Sequence, residues 1–242
     1  MQLDEIARRL LDDGVAQVGY SHLADVLPQR YRHLPYGMTL VYKLSDAVVE
    51  EIISWQEPGP TFSYFQHYRA VNAFLDRKTL WVTAMLERMG YRAMPVAASQ
   101  SVRDMGEYAG IFPHKTAAVR AGLGWIGKSA LFISPVFGPR VRLATVLTDC
   151  PLPVQESLRE MPGCGNCQKC AAACPACAIT GEAYRPGISK REDVLDPRAC
   201  SEHMKRAYQR IGRGAVCGIC MAVCPFGIKK ATEKARVFGE NR

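Results

Sequence analysis

The chain has 242 residues, 48% of them hydrophobic, which is enough to bury a sizeable core in one large domain or in two closely packed ones. No apolar run approaches the roughly 18 residues that a membrane-spanning helix needs, and the N-terminus carries charges on a helical pattern where a signal peptide has an apolar core. We therefore expect a globular, cytoplasmic protein without a membrane segment. The formal charge of +8 alone would leave a nucleic-acid partner open.

The first hundred residues predict a scaffold in which helices pack on a sheet. Apolar residues at helical spacing predict a helix at residues 3–11, and short strands are expected at 15–20, 38–43 and 91–97. A short helix is expected at 46–55. Beyond a Pro-Gly-Pro breaker, Thr61 is expected to cap a long helix that runs to residue 89 and ends at Gly90.

Residues 100–149 hold a glycine-rich stretch. A short helix is expected to end at residue 121, and GLGWIGK follows at residues 122–128. This stretch has neither the Walker lysine spacing nor the G-x-G-x-x-G order, so a nucleotide phosphate loop is not indicated. On spacing alone, a tight turn from helix to strand is the favoured interpretation. Residues 131–134 and 140–147 predict two strands that form a buried hairpin.

The last third of the chain holds nine of the ten cysteines. Four of them follow the order C-x2-C-x2-C-x3-C before Pro175, and three more repeat the second half of that run before Pro225. This is ferredoxin spacing, in which the fourth cysteine of each run ligates the other cluster. The second run lacks its first cysteine, but Cys200 precedes Cys217 by 17 residues and is the natural replacement.

The spacing therefore predicts two 4Fe-4S clusters. One is assigned to Cys164, Cys167, Cys170 and Cys224, and the other to Cys174, Cys200, Cys217 and Cys220. Zinc would favour paired C-x2-C knuckles without the C-x3-C-P tail, and disulfides would require an oxidising compartment. Cys150 and Cys177 are left over and are interpreted as small buried hydrophobes.

The predicted clusters change the charge argument. Each cubane core of charge about 2+ held by four thiolates contributes about −2, so the loaded protein carries about 8 − 4 = +4. That value indicates a mildly basic protein only. A surface for an acidic partner is the less favoured interpretation.

Several motifs together resemble the cobalamin-dependent epoxyqueuosine reductases and reductive dehalogenases. They are HKTAA at residues 114–118, AGLGWIGK at 121–128, SPVFGPRVRLATVLTD at 134–149, and the double cysteine run. The resemblance extends more weakly over nearly the whole chain. Cys200, in DPRACS at 196–201, stands where the epoxyqueuosine reductases place their detached cysteine.

The resemblance implies an α/β (α+β) fold in two parts. Residues 1–150 would form a nitroreductase-like domain that binds corrinoid and substrate, and residues 151–242 a ferredoxin-like domain with two 4Fe-4S clusters. A corrinoid, cobalamin held base-off, would lie between them, where one cluster reduces its cobalt. The residues implied to line it are Gly122, Gly124, Trp125, Ile126, Gly127, Lys128, Ser134, Pro135, Gly138, Arg140 and Arg142.

Within this set, Lys128, Arg140 and Arg142 would pair with propionamide or phosphate groups of the corrinoid. The alternative is that the three are ordinary surface cations.

The chain departs from the family at the proton donor. Epoxyqueuosine reductases carry an aspartate about fourteen residues before the glycine-rich turn, and the same count back from Gly122 reaches Tyr108. A tyrosine donor is the dehalogenase solution. Its phenol, with a pKa of about 10, needs a cationic neighbour, for which His114 or Lys115 is available. The alternative is that Tyr108 is a packed aromatic in a loop.

Two functions stay open at this point. The first is a cobalamin-dependent reductase of a small molecule or a modified nucleoside, supplied by an external electron donor of flavodoxin or ferredoxin type. The second is a ferredoxin-type electron-transfer protein that serves a corrinoid protein or another redox enzyme, without catalysis of its own. A full N-terminal half favours the reductase, because a simple carrier needs only the cluster domain. A tRNA substrate is not favoured, because the chain shows no helical extension beyond the clusters and the corrected charge is modest. The export signal of respiratory dehalogenases is also not expected.

Overall fold

The computed structural model describes residues 2–54, 57–155 and 161–228. In these ranges the α-helices are α1 (Leu3–Asp12), α2 (Asp46–Ser54), α3 (Phe62–Arg88), α4 (His114–Arg120), α5 (Lys169–Ala172), α6 (Pro197–Ala207) and α7 (Ile219–Ala222). The β-strands are β1 (Gln17–His22), β2 (Tyr36–Lys43), β3 (Ala93–Val96), β4 (Trp125–Ile126), β5 (Phe132–Ile133) and β6 (Val141–Thr148). No described helix is long and apolar enough to cross a membrane.

A four-stranded antiparallel sheet in the order β1-β2-β6-β3 forms the centre. Successive side chains of a strand point to opposite faces. Met38 and Leu40 of β2 accordingly pack in the core with α1 and α3, and Val41 packs with Ala118 of α4 on the other face. Helices therefore cover both faces of the sheet, and the predicted α/β fold class is confirmed.

The predicted helices at 3–11, 46–55 and 61–89 are confirmed as α1, α2 and α3, although Trp55 lies outside the described residues. Thr61 caps α3 as expected, since its Oγ1 accepts a hydrogen bond of 3.1 Å from the Tyr64 N–H. The strands near residues 15–20 and 91–97 exist with shifted ends, as β1 and β3. Shifts of this size are typical where polar strand ends carry no periodic signal.

The predicted hairpin of residues 131–134 with 140–147 is wrong. Both strands exist, but β5 pairs with β4, and β6 pairs with β2 on one side and β3 on the other. Because both edges of β6 are hydrogen-bonded within the central sheet, neither is free for β5. In the described chain, the only antiparallel bridge between the two predicted strand regions joins Ser134 and Gly138, and it closes the turn between β5 and β6.

The cluster segment shares a core with the N-terminal half. Ile219, Met221 and Ala222 of α7 are buried in the same cluster as Ile52 of α2 and Tyr64 of α3. The first 150 residues and those after them are therefore packed together closely. The boundary itself stays a prediction.

Arg140 ties the start of β6 to α2. Its side chain is 2% exposed, and its guanidinium donates to Asp46 Oδ1 at 3.1 Å and to Glu50 Oε1 at 3.4 Å. A buried guanidinium is stabilised in this way only when carboxylates compensate its charge. Arg140 is therefore part of the scaffold.

We expect Arg140→Met to lower the free energy of unfolding by roughly 2 kcal/mol, because charge-assisted hydrogen bonds are lost from a buried position. The matched control is Arg9→Met, which removes an exposed i,i+4 pair with Glu5 and should cost only about 0.3 kcal/mol. Urea denaturation of both variants measures the difference. Equal midpoints would show that the Arg140 ion pairs do not stabilise the fold.

Candidate iron-sulfur and ligand-binding site

The first set of thiols joins the start of the cluster segment to its end. Cys170 lies in α5, Cys164 and Cys167 precede that helix, and Cys224 follows α7. Burial, and then the nearby thiols of Cys164, Cys170 and Cys167, raise the pKa of Cys224 to about 11. The structure therefore brings together the four cysteines that the spacing assigned to one cluster.

The second set gathers around α6. Cys200 lies in this helix, and burial, followed by the nearby thiols of Cys200 and Cys174, raises the pKa of Cys217 to about 11. Burial also raises the pKa of Cys220, and the neighbouring thiols of Cys217, Cys200, Cys170 and Cys174 add to this. Cys200, the detached cysteine, is therefore close to the three thiols with which it was grouped.

The two sets adjoin each other, because Cys170 of the first is close enough to Cys220 of the second to affect its pKa. All ten cysteines are free thiols, and Cys150 is buried while Cys177 is exposed. The expectation of a buried residue therefore holds for Cys150 and is wrong for Cys177, which lies in a turn with φ of 48°. Which sulfur binds which iron stays a prediction.

The residues present fit two cubane clusters. Buried thiols with raised pKa values do not ionise without a cationic centre, and a cubane supplies that charge to four sulfurs at once. In the described ranges no group of three or more His, Cys, Asp or Glu side chains is arranged to hold a metal ion. A cubane differs from one ion because each of its four sulfur ligands binds a different iron, so its ligands stand further apart.

The glycine-rich turn lies directly against the first thiol set. It follows α4, and Gly122, with φ of 68°, reverses the chain into β4, as the turn interpretation expected. A Cβ added at Gly127 would lie 3.2 Å from Cys164 Sγ and 2.8 Å from Ile133 Cγ1. Only glycine allows so close an approach of this backbone to a predicted cluster ligand.

A large cavity of about 670 Å³ opens beyond this turn. Its walls are mostly apolar and are supplied by the start of α4, residues 96–100 and 108–113, and the β4–β5 pair. The charged side chains among its lining residues are Lys115, Arg142 and Arg191, and no acidic side chain of the described chain lines it. The cavity is therefore positively charged.

A second cavity of about 320 Å³ connects this region to the thiols. Ile126 lines both cavities, and Gly122, Gly124, Trp125, Lys128 and Cys164 line the second. Trp125 is 8% exposed and Lys128 7% exposed. The Trp125 Nε1 donor is buried without a hydrogen-bond partner, and Lys128 Nζ has none among the described residues. Both can therefore donate to a ligand.

His114 is held in a neutral form. Its Nε2 lies 2.9 Å from the Ala97 carbonyl oxygen and its Nδ1 lies 3.0 Å from Thr145 Oγ1. The carbonyl can only accept, so Nε2 carries the proton and Nδ1 accepts from the threonine hydroxyl. Burial lowers the pKa of His114 to about 4. The prediction that His114 is a cationic neighbour of Tyr108 is therefore wrong, because the ring is uncharged and both its nitrogens are occupied.

Lys115 is better placed than His114 to be the cationic neighbour of Tyr108. Its Nζ donates to the Ala130 carbonyl oxygen at 2.6 Å in the wall of the large cavity. Burial, and then the charge of Arg191, lower the pKa of Lys115 to about 8. Its ammonium group can therefore lose a proton near neutral pH, which suits a proton donor.

Tyr108 lines the large cavity together with Lys115, from a turn in which its φ is 55°. A positive φ is uncommon for a residue with a side chain and indicates a position fixed by its surroundings. One contact that fixes it is the hydrogen bond of 3.0 Å from Arg191 Nη1 to the Tyr108 carbonyl oxygen. Tyr108 therefore faces a ligand cavity, and its role as proton donor stays a prediction.

The loop of residues 134–142 lines the large cavity only through Pro139, Val141 and Arg142, and not through its other residues as the resemblance implied. Ser134 is buried, and its Oγ accepts from the Val136 and Phe137 N–H groups. A Cβ at Gly138 would collide with the Phe226 carbonyl, Pro135 is exposed, and Arg140 is paired with α2. These four residues were expected at the ligand. Instead, Ser134 and Gly138 shape the turn and its contact with the cluster segment, Pro135 is exposed, and Arg140 holds α2.

Arg142 does line the large cavity, but its guanidinium is largely engaged by protein groups. Its Nε donates to Asn72 Oδ1 at 2.9 Å, and the group lies 4.5 Å from the centre of the Tyr68 ring. Arg142 is therefore a cation in the wall of the large cavity, and its contacts with α3 set its position.

Arg191 and Tyr184 line the large cavity and were missed from the sequence. Both lie between Cys177 and Cys200, in a stretch without a motif or periodic pattern. The only available signal was its length, since an insertion between cluster ligands must lie against some other part of the fold.

For Cys200→Ala we expect a loss of about four iron atoms per chain, because the variant removes one ligand of the second cluster. Cys150→Ala is the matched control, since Cys150 is buried away from both sets and should keep the full iron content. Iron and sulfide analysis after anaerobic reconstitution measures both. An unchanged iron count in Cys200→Ala would refute the assignment of Cys200.

The lowered pKa of Lys115 can be observed directly. Its ammonium group is charged below pH of about 8 and neutral above it, whereas an exposed lysine keeps its charge to a pH of about 10. We therefore expect one lysine side-chain resonance to titrate near pH 8 in NMR spectra of protein with ¹³C-labelled lysine. Lys115→Arg should remove that resonance. A variant spectrum that still contains the early titration would contradict the assignment.

Known proteins resemble parts of this chain. Residues 163–227 match a family described as a 4Fe-4S double cluster binding domain. The tetrachloroethene reductive dehalogenase of Sulfurospirillum multivorans is 32% identical over 158 residues, which cover 61% of this chain and 28% of that protein. The epoxyqueuosine reductase of Listeria monocytogenes serovar 1/2a is 30% identical over 149 residues, which cover 59% of this chain and 36% of that protein.

Solved structures show the same fold. The structure of a reductive dehalogenase, which suggests a mechanism for B12-dependent dehalogenation, matches 96% of this chain and 33% of its own with a TM-score of 0.68 and 19% identity. An epoxyqueuosine reductase with a tRNA-Tyr epoxyqueuosine-modified stem loop matches 93% of this chain and 64% of its own, with a TM-score of 0.59 and 18% identity.

The chain thus spans about a third of the two curated relatives' length. It is a homologue of the epoxyqueuosine reductases and the reductive dehalogenases, with their α/β fold and a 4Fe-4S double cluster binding domain.

Proposed function

We propose that this protein is a cytoplasmic, cobalamin-dependent iron-sulfur reductase of the epoxyqueuosine-reductase type. Electrons from an external flavodoxin or ferredoxin pass through two 4Fe-4S clusters and are used to reduce an organic substrate. The observation that carries the proposal is the contact between the glycine-rich turn and the first thiol set, where Gly127 abuts Cys164. A relay protein has no need of a ligand cavity at that point.

The positions of the two thiol sets and the two cavities support a path for electron transfer. The second thiol set adjoins the first through Cys220 and Cys170, and the first set reaches the small cavity at Cys164. Ile126 separates that cavity from the large one. Electrons that enter at the second set therefore have a continuous route of neighbouring groups to the large cavity.

The two cavities suit a corrinoid held base-off. A corrin is broad and apolar, and its rim carries amide groups that need hydrogen-bond partners. The apolar walls, the unpartnered Trp125 Nε1 and the Lys128 ammonium group provide both kinds of contact. When bound, the corrinoid supplies a strongly reducing cobalt centre, and the protein supplies position, exclusion of water and protons.

The residues of the large cavity would bind and protonate the substrate. Three cations and no described acidic residue line it, which favours a substrate with an anionic or electron-rich group. Because the corrinoid would fill part of its volume of about 670 Å³, the space that remains suits a small molecule. Lys115, held to the Ala130 carbonyl, would keep the Tyr108 side of the cavity positive and supply the proton at Nζ or at the Tyr108 hydroxyl.

A modified nucleoside in tRNA is the second substrate class. This class rests on the epoxyqueuosine reductase structure that contains a tRNA stem loop. The limited volume of the large cavity favours a free small molecule over a nucleoside in tRNA. A nucleoside at the tip of a loop would still have to enter the same positively charged cavity.

We expect hydroxocobalamin to travel with the protein in gel filtration after anaerobic reconstitution with iron and sulfide. Trp125→Phe should weaken its binding by roughly two- to tenfold, because one hydrogen bond from a buried donor is lost while the ring is retained. The matched control is Trp81→Phe on α3, which should bind as the wild type does. If corrinoid absorbance separates from the iron-loaded wild-type protein, the reductase proposal fails and an electron relay is favoured.

A further inference from the structure

A broad hollow of about 1010 Å³ lies on the surface beside the second thiol set. Cys200 lines it, together with Met204 and Lys205 of α6, residues 212–215, and Glu107 and Tyr108, and Tyr108 also lines the large cavity. Cys200 is thus a predicted cluster ligand at the floor of an open surface. A redox protein that docks in this hollow would be separated from the second cluster by about the length of one side chain.

The rim of this hollow is basic. Lys205, in the last turn of α6, and Arg213 line the hollow, and Arg206 and Arg210 lie close to them along the chain. All four side chains are exposed, and none has an ion-pair partner in the described part of the chain. These four residues are called the basic rim.

The acidic groups nearby are mostly engaged. Glu107 pairs with Arg198 at 2.8 Å, and Asp196 caps α6 by accepting from the Ala199 N–H. Glu202 is exposed on the same helix and offsets one charge. Within the described residues, the rim therefore keeps a net positive charge.

The location of the rim fits electron entry. The first thiol set faces the ligand cavities at Cys164, whereas the second opens to the surface at Cys200. A donor must approach the cluster that is reachable from outside. Positive charge around that point attracts an acidic partner and accelerates its encounter.

We propose that the hollow with its basic rim is the docking site of the external electron donor, and that the donor is a protein with an acidic face around its redox centre. The proposal rests on the two-cluster part of the proposed function and does not depend on the corrinoid. One electron passes from the reduced donor to the oxidised second cluster in each encounter, so the donor is oxidised by one electron and the cluster is reduced by one.

The test uses the iron-loaded protein and the hydroquinone of an acidic flavodoxin in stopped-flow mixing, with bleaching of cluster absorbance as the signal. Lys205→Glu/Arg213→Glu should lower the second-order rate by roughly ten- to a hundredfold at low salt and abolish its salt dependence. The matched control is Arg77→Glu/Arg88→Glu, which reverses the same charge at exposed positions of α3 and should react within about twofold of wild type. If the first double variant loads less iron, Arg206→Gln/Arg210→Gln takes its place.

A neutral photoreductant, 5-deazariboflavin, separates the possible failures. If it does not bleach the wild-type protein, the two-cluster pathway is absent and the docking proposal falls with it. If it bleaches every variant alike and flavodoxin also reduces the reversed variant at the wild-type rate, the docking proposal alone is overturned. Two other results also overturn it. One is a shifted midpoint potential at an unchanged flavodoxin rate, which would mean that the rim only balances cluster charge. The other is loss of tRNA binding at an unchanged rate, which would mean that the rim is an RNA surface.

Discussion

The close approach of the backbone at Gly127 to the Cys164 sulfur is the constraint on which the site depends. A Cβ at this position would lie 2.8 Å from Ile133 Cγ1 and 3.2 Å from Cys164 Sγ, so the backbone or these side chains would have to shift. The same turn carries Trp125, which packs edge-on against Phe226 just beyond Cys224. One short glycine-rich segment thus fixes the distance between the first thiol set and the two cavities.

The charged and ionisable groups also differ between the thiol sets, the large cavity and the surface. The thiol sets need a cationic cluster because burial raises the pKa values of Cys217, Cys220 and Cys224. Lys115, Arg142 and Arg191 line the large cavity without an acidic lining residue in the described chain, although Arg191 also pairs with Glu192 at 2.7 Å, and the basic rim is exposed to solvent. Anionic groups are therefore favoured in both places, although the reasons differ. The cavity would stabilise a bound anion by low dielectric and close contact, whereas the rim acts at longer range on an approaching protein.

The helices and the sheet could be predicted in part from local pattern. The apolar spacing that predicted α1 and α3 is a property of each segment alone. These helices can therefore be predicted without knowing which elements they pack against. Strand pairing is a property of two segments. β5 and β6 looked alike and are neighbours in the chain, yet β2 and β3 occupy both edges of β6, and β5 pairs with β4 instead. No local signal distinguishes these outcomes.

The site divides in the same way. The sequence by itself determined the cysteine groups, because cluster ligation depends on short spacings along the chain, and it located the glycine-rich turn for the same reason. Only the tertiary structure decided the roles of single polar residues. It made His114 neutral between Ala97 and Thr145, committed Arg140 to α2, and brought Arg191 to Lys115 from a segment without a motif. Protonation and charge pairing depend on burial and on partners far away in the chain, and neither is encoded in local spacing.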